Sequence, residues 1–166
     1  VQLLILTGAR NSEIREANRS EFNLDDALWI LPKARSKTKK AIRRPLSDKS
    51  IELIKQLDLI YGKDRKHLIE GDIKGAPLTT HSINRFVQRM NNHLKFEPFV
   101  PHDFRRTIST RLSENKVHPH VTENMLGHVL GGVMAIYNKH DWLDEQREAY
   151  QLYWDLIEKI LERAAK

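Results

Sequence analysis

Hydrophobic residues recur at helical spacing along most of the chain and alternate with polar residues in one region only. Residues 1–6 are apolar and are followed by Thr7 and Gly8, which predicts the end of a buried helix. Further helices are predicted over 13–17, 48–60, 79–94, 103–113 and 121–127, around Tyr137, and from Asp141 or Asp144 to Ala164.

One region, from Glu21 to Leu46, shows the period of two that is typical of β-strands. Its first run ends at Pro32 and places four apolar residues on one face: Phe22, Leu24, Leu28 and Ile30. A second short run covers 41–46, so the two runs predict an antiparallel sheet. The turn between them carries four basic residues: Arg35, Lys37, Lys39 and Lys40. The expected fold class is mainly α with a small antiparallel β-sheet.

Composition then limits the classes of function. The 166 residues make one domain's worth of chain, and 28 Lys and Arg against 22 Asp and Glu give a net charge of +6. This basic balance favours a polyanionic partner such as nucleic acid, although many soluble proteins are basic without one. The chain has no cysteine, which excludes disulfides, thiolate chemistry and cysteine zinc sites.

No apolar run approaches the ~18 residues of a membrane span, and the first residues lack the cleavage pattern of a signal peptide. We therefore expect a cytoplasmic protein with no membrane partner. The chain opens on apolar residues without a methionine, which indicates a fragment of a longer protein.

The stretch from 101 to 137 carries the most specific pattern of polar residues. It reads P-H-D-F-R-R, then L-G-H, then a tyrosine nine residues beyond that histidine. His102 and Arg105 stand three residues apart, so on a helix they share one face and can converge on a phosphate. Tyr137 can then serve as a nucleophile, and His128 as a further phosphate donor. Each residue alone has an ordinary alternative as a surface pair, a histidine after a helix-ending glycine, or a half-buried tyrosine.

Other basic residues fit the same chemistry. Arg10 follows T-G-A beside a predicted helix start, where free backbone N–H groups favour anions; the alternative is an arginine in a surface turn. The lysine-rich turn can follow a phosphate backbone and bring one ammonium to a reaction centre, or it can be a solvated loop. Arg85 and Arg89 lie on the outward face of the 79–94 helix, which is either a DNA contact or a solvated surface.

In chain order, the motifs are T-G-A-R with Glu13 three residues on, a hairpin lysine eight residues before Pro45, H-D-F-R-R, L-G-H, and the tyrosine nine residues later. This ordered set resembles the catalytic domain of the tyrosine recombinases, the phage integrase family, over essentially the whole chain. The final segment is most similar to integrases of prophages and genomic islands. The resemblance implies that residues 1–166 are a catalytic domain whose upstream DNA-binding domains are absent.

The resemblance also assigns roles to individual residues. It implies Arg10 and Arg105 as phosphate-clamping arginines, Lys37 as the hairpin lysine, His102 and His128 as active-site histidines, and Tyr137 as the nucleophile. Glu13 matches an acidic position that supports the loop of Arg10. Further contacts to the DNA backbone are expected from a set of exposed cations: Arg35, Lys39, Lys40, Arg85 and Arg89.

The expected reaction is an in-line attack of Tyr137 on a DNA phosphodiester, which gives a 3′-phosphotyrosyl link and a free 5′-hydroxyl. One ester replaces another, so neither ATP nor any cofactor is expected. His102 is the candidate base, and Lys37 is the candidate acid for the leaving 5′-oxygen, with Lys39 as its alternative. These motifs contain no carboxylate cluster at metal-ligand spacing, which disfavours a two-metal mechanism.

The expected partner is double-stranded DNA with attachment-type sites, on which the resemblance implies a tetramer. The last helix has a wide apolar face that packs either on its own chain or on a neighbouring protomer. Two rival functions remain: a non-catalytic DNA-binding regulator with the same fold, and a DNA-relaxing enzyme with the same tyrosine chemistry.

Overall fold

The computed structural model describes residues 1–94, 97–128 and 140–165. These ranges contain helices α1 (Gln2–Thr7) and α2 (Asn11–Arg15), a 3-10 turn (Arg19–Glu21), strands β1 (Phe22–Asn23), β2 (Leu28–Leu31) and β3 (Ile42–Pro45), and helices α3 (Asp48–Tyr61), α4 (Ser82–His93), α5 (Pro101–Glu114), α6 (Pro119–Leu126) and α7 (Leu143–Ala164). The prediction of a mainly helical chain with one small sheet is confirmed.

The three strands form an antiparallel sheet in the order β1-β2-β3. An antiparallel sheet was predicted, but from two runs, and the first run forms two strands, β1 and β2, that pair with each other. Trp29 pairs with Phe22 on one side and with Arg44 on the other. The Phe22 and Trp29 rings stack with their centroids 5.0 Å apart. This row of side chains faces the core.

The predicted inner face of β2 is wrong at Ile30, which is 42% exposed, whereas Trp29 and Leu31 are fully buried. The register explains the error, because Ile30 pairs with Arg43, whose side chain faces outward and forms an ion pair with Asp141. Adjacent residues of a strand point to opposite faces, so the burial of Trp29 places Ile30 outside.

Capping interactions set where α2 and α3 begin. Helix α2 was predicted from residue 13 but begins at Asn11, because Arg10 occupies the cap position and its N–H donates to the Glu13 carboxylate at 2.9 Å. For α3 the cap is Ser47, because its side-chain oxygen accepts from the backbone N–H of Ser50. In α2 the Glu13 side chain reaches back to the N–H of the capping residue, whereas in α3 the Ser47 side chain reaches forward to the N–H of Ser50.

Two hydrophobic clusters build the domain. One contains the sheet with parts of α1 and α3. The other contains the inner faces of α5, α6 and α7. Helix α1 contacts α3, α5 and α7, so it lies between the clusters. The ends of α1 and α6 therefore come close to α5, where the motif residues lie.

Several large apolar residues of the helices are exposed. They lie at the ends or flanks of their helices: Ile60 of α3 (69%), Phe86 of α4 (44%), and Ile160 (59%) and Leu161 (56%) of α7. In each helix the apolar stripe is wider than the surface that packs against it. Helix α4, for example, buries only Ile83 and Val87.

Candidate active site

Arg105 is the fifth residue of α5 and is almost completely buried, with 4% of its surface exposed. One terminal nitrogen donates to the carbonyl of Gly8 at 2.7 Å, and the other donates to the carbonyl of Leu126. These carbonyls lie at the C-terminal ends of α1 and α6, where helices leave acceptors unpaired and carry partial negative charge. Two helix ends therefore hold one buried guanidinium.

Glycines at these helix ends allow the close approach. Gly8 and Gly127 have φ values of +58° and +62°, the left-handed conformation that glycine adopts without strain. A Cβ atom on Gly8 would lie 2.7 Å from Cγ2 of Ile108, and one on Gly127 would overlap the side chain of Ile42. Gly8 and Gly127, which were predicted to end helices, therefore also allow the close packing around the site.

A cleft of about 250 Å³ opens over Arg105. It is lined by residues of α5, by the last residue of α6 and by the histidine that follows α6: His102, Arg105, Arg106, Ser109, Thr110, Leu126 and His128. The structure therefore brings His102 and Arg105, three residues apart on α5, to the same cleft as His128, which follows α6.

Arg10 lies beside this cleft and is linked to it electrostatically. Its guanidinium donates to one oxygen of Glu13 at 2.9 Å, while its backbone N–H donates to the other. Burial, together with the positive charges of Arg10 and Arg44, lowers the pKa of Arg105 to about 10, while the charge of Glu13 opposes this shift. The site is thus rich in positive charge before any ligand binds.

Glu13 is buried and ionised at the centre of this cluster. Burial alone raises the pKa of its carboxyl, but the charge of Arg44 and the hydrogen bonds from Arg10 outweigh it, so the pKa lies below its usual value. Glu13 therefore supports Arg10 as a carboxylate, in the place where the motif put it.

His128 contacts a second carboxylate. Its Nδ1 lies 2.6 Å from an oxygen of Glu123, which is five residues earlier in α6. A carboxylate at Nδ1 orients the ring and leaves Nε2 for another partner. No sequence pattern indicates this contact, because Glu123 alone resembles any surface residue of a short helix.

Two further residues of the site were missed by the sequence analysis. Arg44 of β3 is fully buried, and the hydroxyl of buried Tyr150 in α7 lies 3.2 Å from the carbonyl oxygens of Thr7 and Met125. Burial raises the pKa of Tyr150 to about 12. Arg44 could have been recognised from the sequence, because it lies two residues after Ile42 and therefore on the same inward face of the strand, where a charged residue is unexpected.

The turn between β2 and β3 carries the predicted basic residues. Lys37, Lys39 and Lys40 are exposed, and Lys39 has a φ of +57°. Arg35 instead lies against the body of the protein, where it donates to both oxygens of Glu21 and to the Glu13 carbonyl. Its contact with DNA stays a prediction, as do those of the exposed Arg85 and Arg89 on α4.

Tyr137 and the helix expected around it lie outside the described residues. Within the ranges that the structure does describe, no group of three histidine or carboxylate side chains is placed to hold a metal ion. Nor does any helix in these ranges have the length and apolar character needed to cross a bilayer.

Comparisons with known proteins agree with this geometry. The family model described as "Phage integrase family" matches residues 1–143. The prophage integrase IntZ of Escherichia coli K12 is 30% identical over 162 residues, which cover 97% of this chain and 39% of that protein. The integrase of enterobacteria phage P4 is 29% identical, covering 95% of this chain and 39% of that protein. The chain thus spans about two fifths of the length of these relatives.

Solved structures show the same fold at low sequence identity. The integrase from mycobacterium phage Brujita superimposes with a TM-score of 0.70 at 17% identity, covering 90% of this chain and 48% of that one. The XerH recombinase bound to its difH substrate gives 0.62 at 23% identity, covering 77% of this chain and 38% of that one.

Proposed function

The chain belongs to the phage integrase family, and from that membership we propose that it performs site-specific DNA recombination through a covalent 3′-phosphotyrosyl intermediate. The observation that carries the proposal is the cleft shared by His102, Arg105 and His128, with Arg10 beside it. Its relatives include proteins named prophage integrase and tyrosine recombinase.

The cleft suits the charge that develops on a phosphodiester under attack. A guanidinium has five N–H groups, and Arg105 donates two of them to carbonyls, which leaves three for phosphate oxygens. Because Arg105 is already held by two helix ends, little reorganisation is needed when charge appears. Arg10, whose guanidinium bonds to Glu13 through one nitrogen, supplies further donors.

We assign the bond changes as follows. The Tyr137 oxygen attacks the phosphorus in line and loses its proton to His102, forming the 3′-phosphotyrosyl bond as the bond to the 5′-oxygen breaks. Lys37 gives a proton to that leaving oxygen. The 5′-hydroxyl of a second DNA end then loses its proton to Lys37 and attacks the phosphotyrosine, and the released Tyr137 recovers its proton from His102. Each step exchanges one ester for another, so the reaction needs no ATP, and we infer that it proceeds without a metal ion.

The test is covalent trapping on a nicked suicide DNA, from which the 5′-hydroxyl end diffuses away. Wild-type protein is expected to form an adduct that survives denaturant, and Tyr137→Phe is expected to form none. Tyr61→Phe is the matched control, because Tyr61 is 60% exposed at the end of α3. An adduct with Tyr137→Phe, or its loss with Tyr61→Phe, contradicts the assignment.

The partner in this proposal is double-stranded DNA with attachment-type sites, on which four protomers assemble in the cytoplasm. XerH, a structural relative, is described as bound to difH DNA before and after cleavage. Wild-type protein that binds DNA but never forms an adduct would instead be a DNA-binding regulator. Relaxed plasmid without recombinant product would identify a DNA-relaxing enzyme.

A further inference from the structure

Arg44 is a charged residue in a place where the sheet needs only an apolar one. It lies in β3 opposite Trp29 and is fully buried, with its guanidinium carbon 4.9 Å from the centre of the Trp29 ring. Ile42, two residues earlier on the same face, shows that an aliphatic side chain packs well there. Burying a guanidinium is costly unless its N–H groups are bonded, so the contacts of Arg44 call for a functional explanation.

Arg44 connects two parts of the phosphate site. Its terminal Nη2 donates to Oε2 of Glu13 at 2.8 Å, and its Nε donates to the carbonyl of Met125 at 2.9 Å. The same Oε2 accepts from the backbone N–H of Arg10, while Oε1 accepts from the Arg10 guanidinium. Met125 directly precedes Leu126, whose carbonyl accepts from Arg105.

We propose that Arg44 is a positioning residue that sets the spacing of the two phosphate-binding arginines. Arg44 bonds both to Glu13, which holds Arg10, and to the Met125 carbonyl, which lies at the end of α6 that holds Arg105. It therefore connects the contacts that position the two arginines. This inference rests on the proposed function of the site. Without Arg44, the Glu13 carboxylate loses its link to the end of α6, its bond to the Arg10 guanidinium loosens, and that guanidinium can turn away from the cleft.

The charge distribution points the same way. Arg10, Arg44 and Arg105 surround a single carboxylate, that of Glu13. The cluster therefore carries excess positive charge, which suits a phosphate diester. Arg44 itself is fully buried, so it acts on the ligand through Glu13 and Arg10 rather than by contact.

A double-mutant cycle on adduct formation tests this role. Arg44→Met keeps the volume and removes the bonds, and it is expected to slow adduct formation by about 10- to 100-fold. In an Arg10→Ala background, Arg44→Met is expected to slow adduct formation by less than about 3-fold, because the side chain that Arg44 positions is gone. Equal losses in the two backgrounds would overturn the proposal, since a purely structural defect acts on both alike.

Arg44→Lys covers the case in which Arg44→Met does not fold. Lysine keeps a charge beside Glu13 but cannot also bond the Met125 carbonyl, so we expect a loss of about 3- to 10-fold that again vanishes without Arg10. Wild-type rates in a folded Arg44→Lys protein would overturn the link to Met125.

A second readout does not depend on activity. In the wild type, the bond to Glu13 restricts rotation of the Arg10 guanidinium, so its two terminal nitrogens are expected to give separate NMR signals. These signals are expected to merge in the folded Arg44 variant, and unchanged signals would overturn the proposal. If wild-type protein forms no adduct, the proposed function fails while this measurement still tests the positioning role.

Discussion

Arg105 remains charged at neutral pH although it is almost completely buried. Burial and two neighbouring arginines bring its pKa down to about 10, which is still well above 7. The carbonyls of Gly8 and Leu126 supply the acceptors that water would otherwise provide. The positive charge is therefore fixed in place by folding, before a phosphate arrives.

Lys37 is predicted to be the acid for the departing 5′-oxygen. An alkoxide leaves poorly without a proton, so Lys37→Ala is expected to slow cleavage by roughly 10²- to 10⁴-fold on ordinary DNA. On DNA with sulfur in place of that oxygen, the rate is expected to recover almost fully, because a thiolate leaves without a proton. The measurement is the rate of adduct formation on both substrates.

Arg105→Ala is the comparison for this test, because phosphate charge needs stabilising on either substrate and the defect should persist on both. Lys39→Ala tests whether the acid is instead Lys39, the neighbouring lysine of the same exposed turn. Equal defects of Lys37→Ala on the two substrates would reduce Lys37 to a contact with the DNA backbone.

At the residue scale, the motif positions could be predicted and their supports could not. Arg10 and Glu13 are three residues apart, so their ion pair follows from local geometry. Arg44, by contrast, bonds to partners 31 and 81 residues away, and Tyr150 to one that is 143 residues away. Such contacts depend on the tertiary arrangement, which no local pattern of residues specifies.

Among the elements, the ends of α1 and α6 matter more to the site than their lengths. Gly127→Ala is expected to lower the free energy of unfolding by roughly 2–4 kcal/mol, because alanine adds backbone strain and overlaps Ile42. Cleavage should also fall, since His128 is the next residue. Chemical denaturation and adduct formation measure the two effects.

Gly75→Ala separates strain from overlap. Gly75 also has a positive φ, +77°, but a Cβ there meets nothing within 4 Å. Gly75→Ala is expected to lower the free energy of unfolding by only about 1 kcal/mol. Equal costs at Gly75 and Gly127 would show that the contact with Ile42 is unimportant.

Helix α7 packs on its own chain through its first half. Ala149, Tyr150 and Tyr153 are buried in the cluster with α5 and α6, whereas residues 158–165 are exposed. Deleting 142–166 is therefore expected to abolish the cooperative unfolding transition in circular dichroism. Deleting only 159–166 is expected to preserve it.

The same pair of deletions separates the two alternatives for this helix. A protein that stays folded and soluble without 142–166, but no longer assembles on DNA, would favour exchange of α7 between protomers.

The buried face of the sheet could not be predicted from the alternation of residues. Alternation predicted two antiparallel runs, but it could not say whether Trp29 or Ile30 faces the core. The pairing of Ile30 with solvent-facing Arg43 decides this, and pairing is a property of two strands. Likewise, the apolar stripe of α4 gave no indication that only Ile83 and Val87 would find partners in the core.

For the whole molecule, stability in acid is predicted to depend on Asp58, a buried carboxylate that joins distant segments. It accepts from Arg19 at 2.8 and 2.7 Å and from Arg65 at 2.8 Å. The bond from Arg19 is the main cause that lowers the pKa of Asp58, and Arg65 adds to it against the opposing effect of burial. The ionised form therefore stabilises the fold above the usual carboxyl pKa of about 4, and this contribution is lost as pH falls through the lowered value.

Asp58→Asn is expected to lower the free energy of unfolding by roughly 3 kcal/mol at pH 7, and the difference from wild type should narrow below about pH 4. Urea denaturation at several pH values measures this difference in the free energy of unfolding. Asp25→Asn, which removes an exposed carboxylate, is the control. A difference that does not change with pH would show that the Asp58 charge is not the stabilising form.

The bond from Arg105 to the carbonyl of Gly8 spans 97 residues of sequence. An unfolded chain, or one in which α1 has separated from α5, has no such site and no particular affinity for a phosphate. By mass action, any anion that occupies the cleft shifts the population toward the closed chain. On the proposed function, DNA is a stabilising ligand as well as a substrate, and proteases are expected to degrade the free protein faster than the DNA-bound protein.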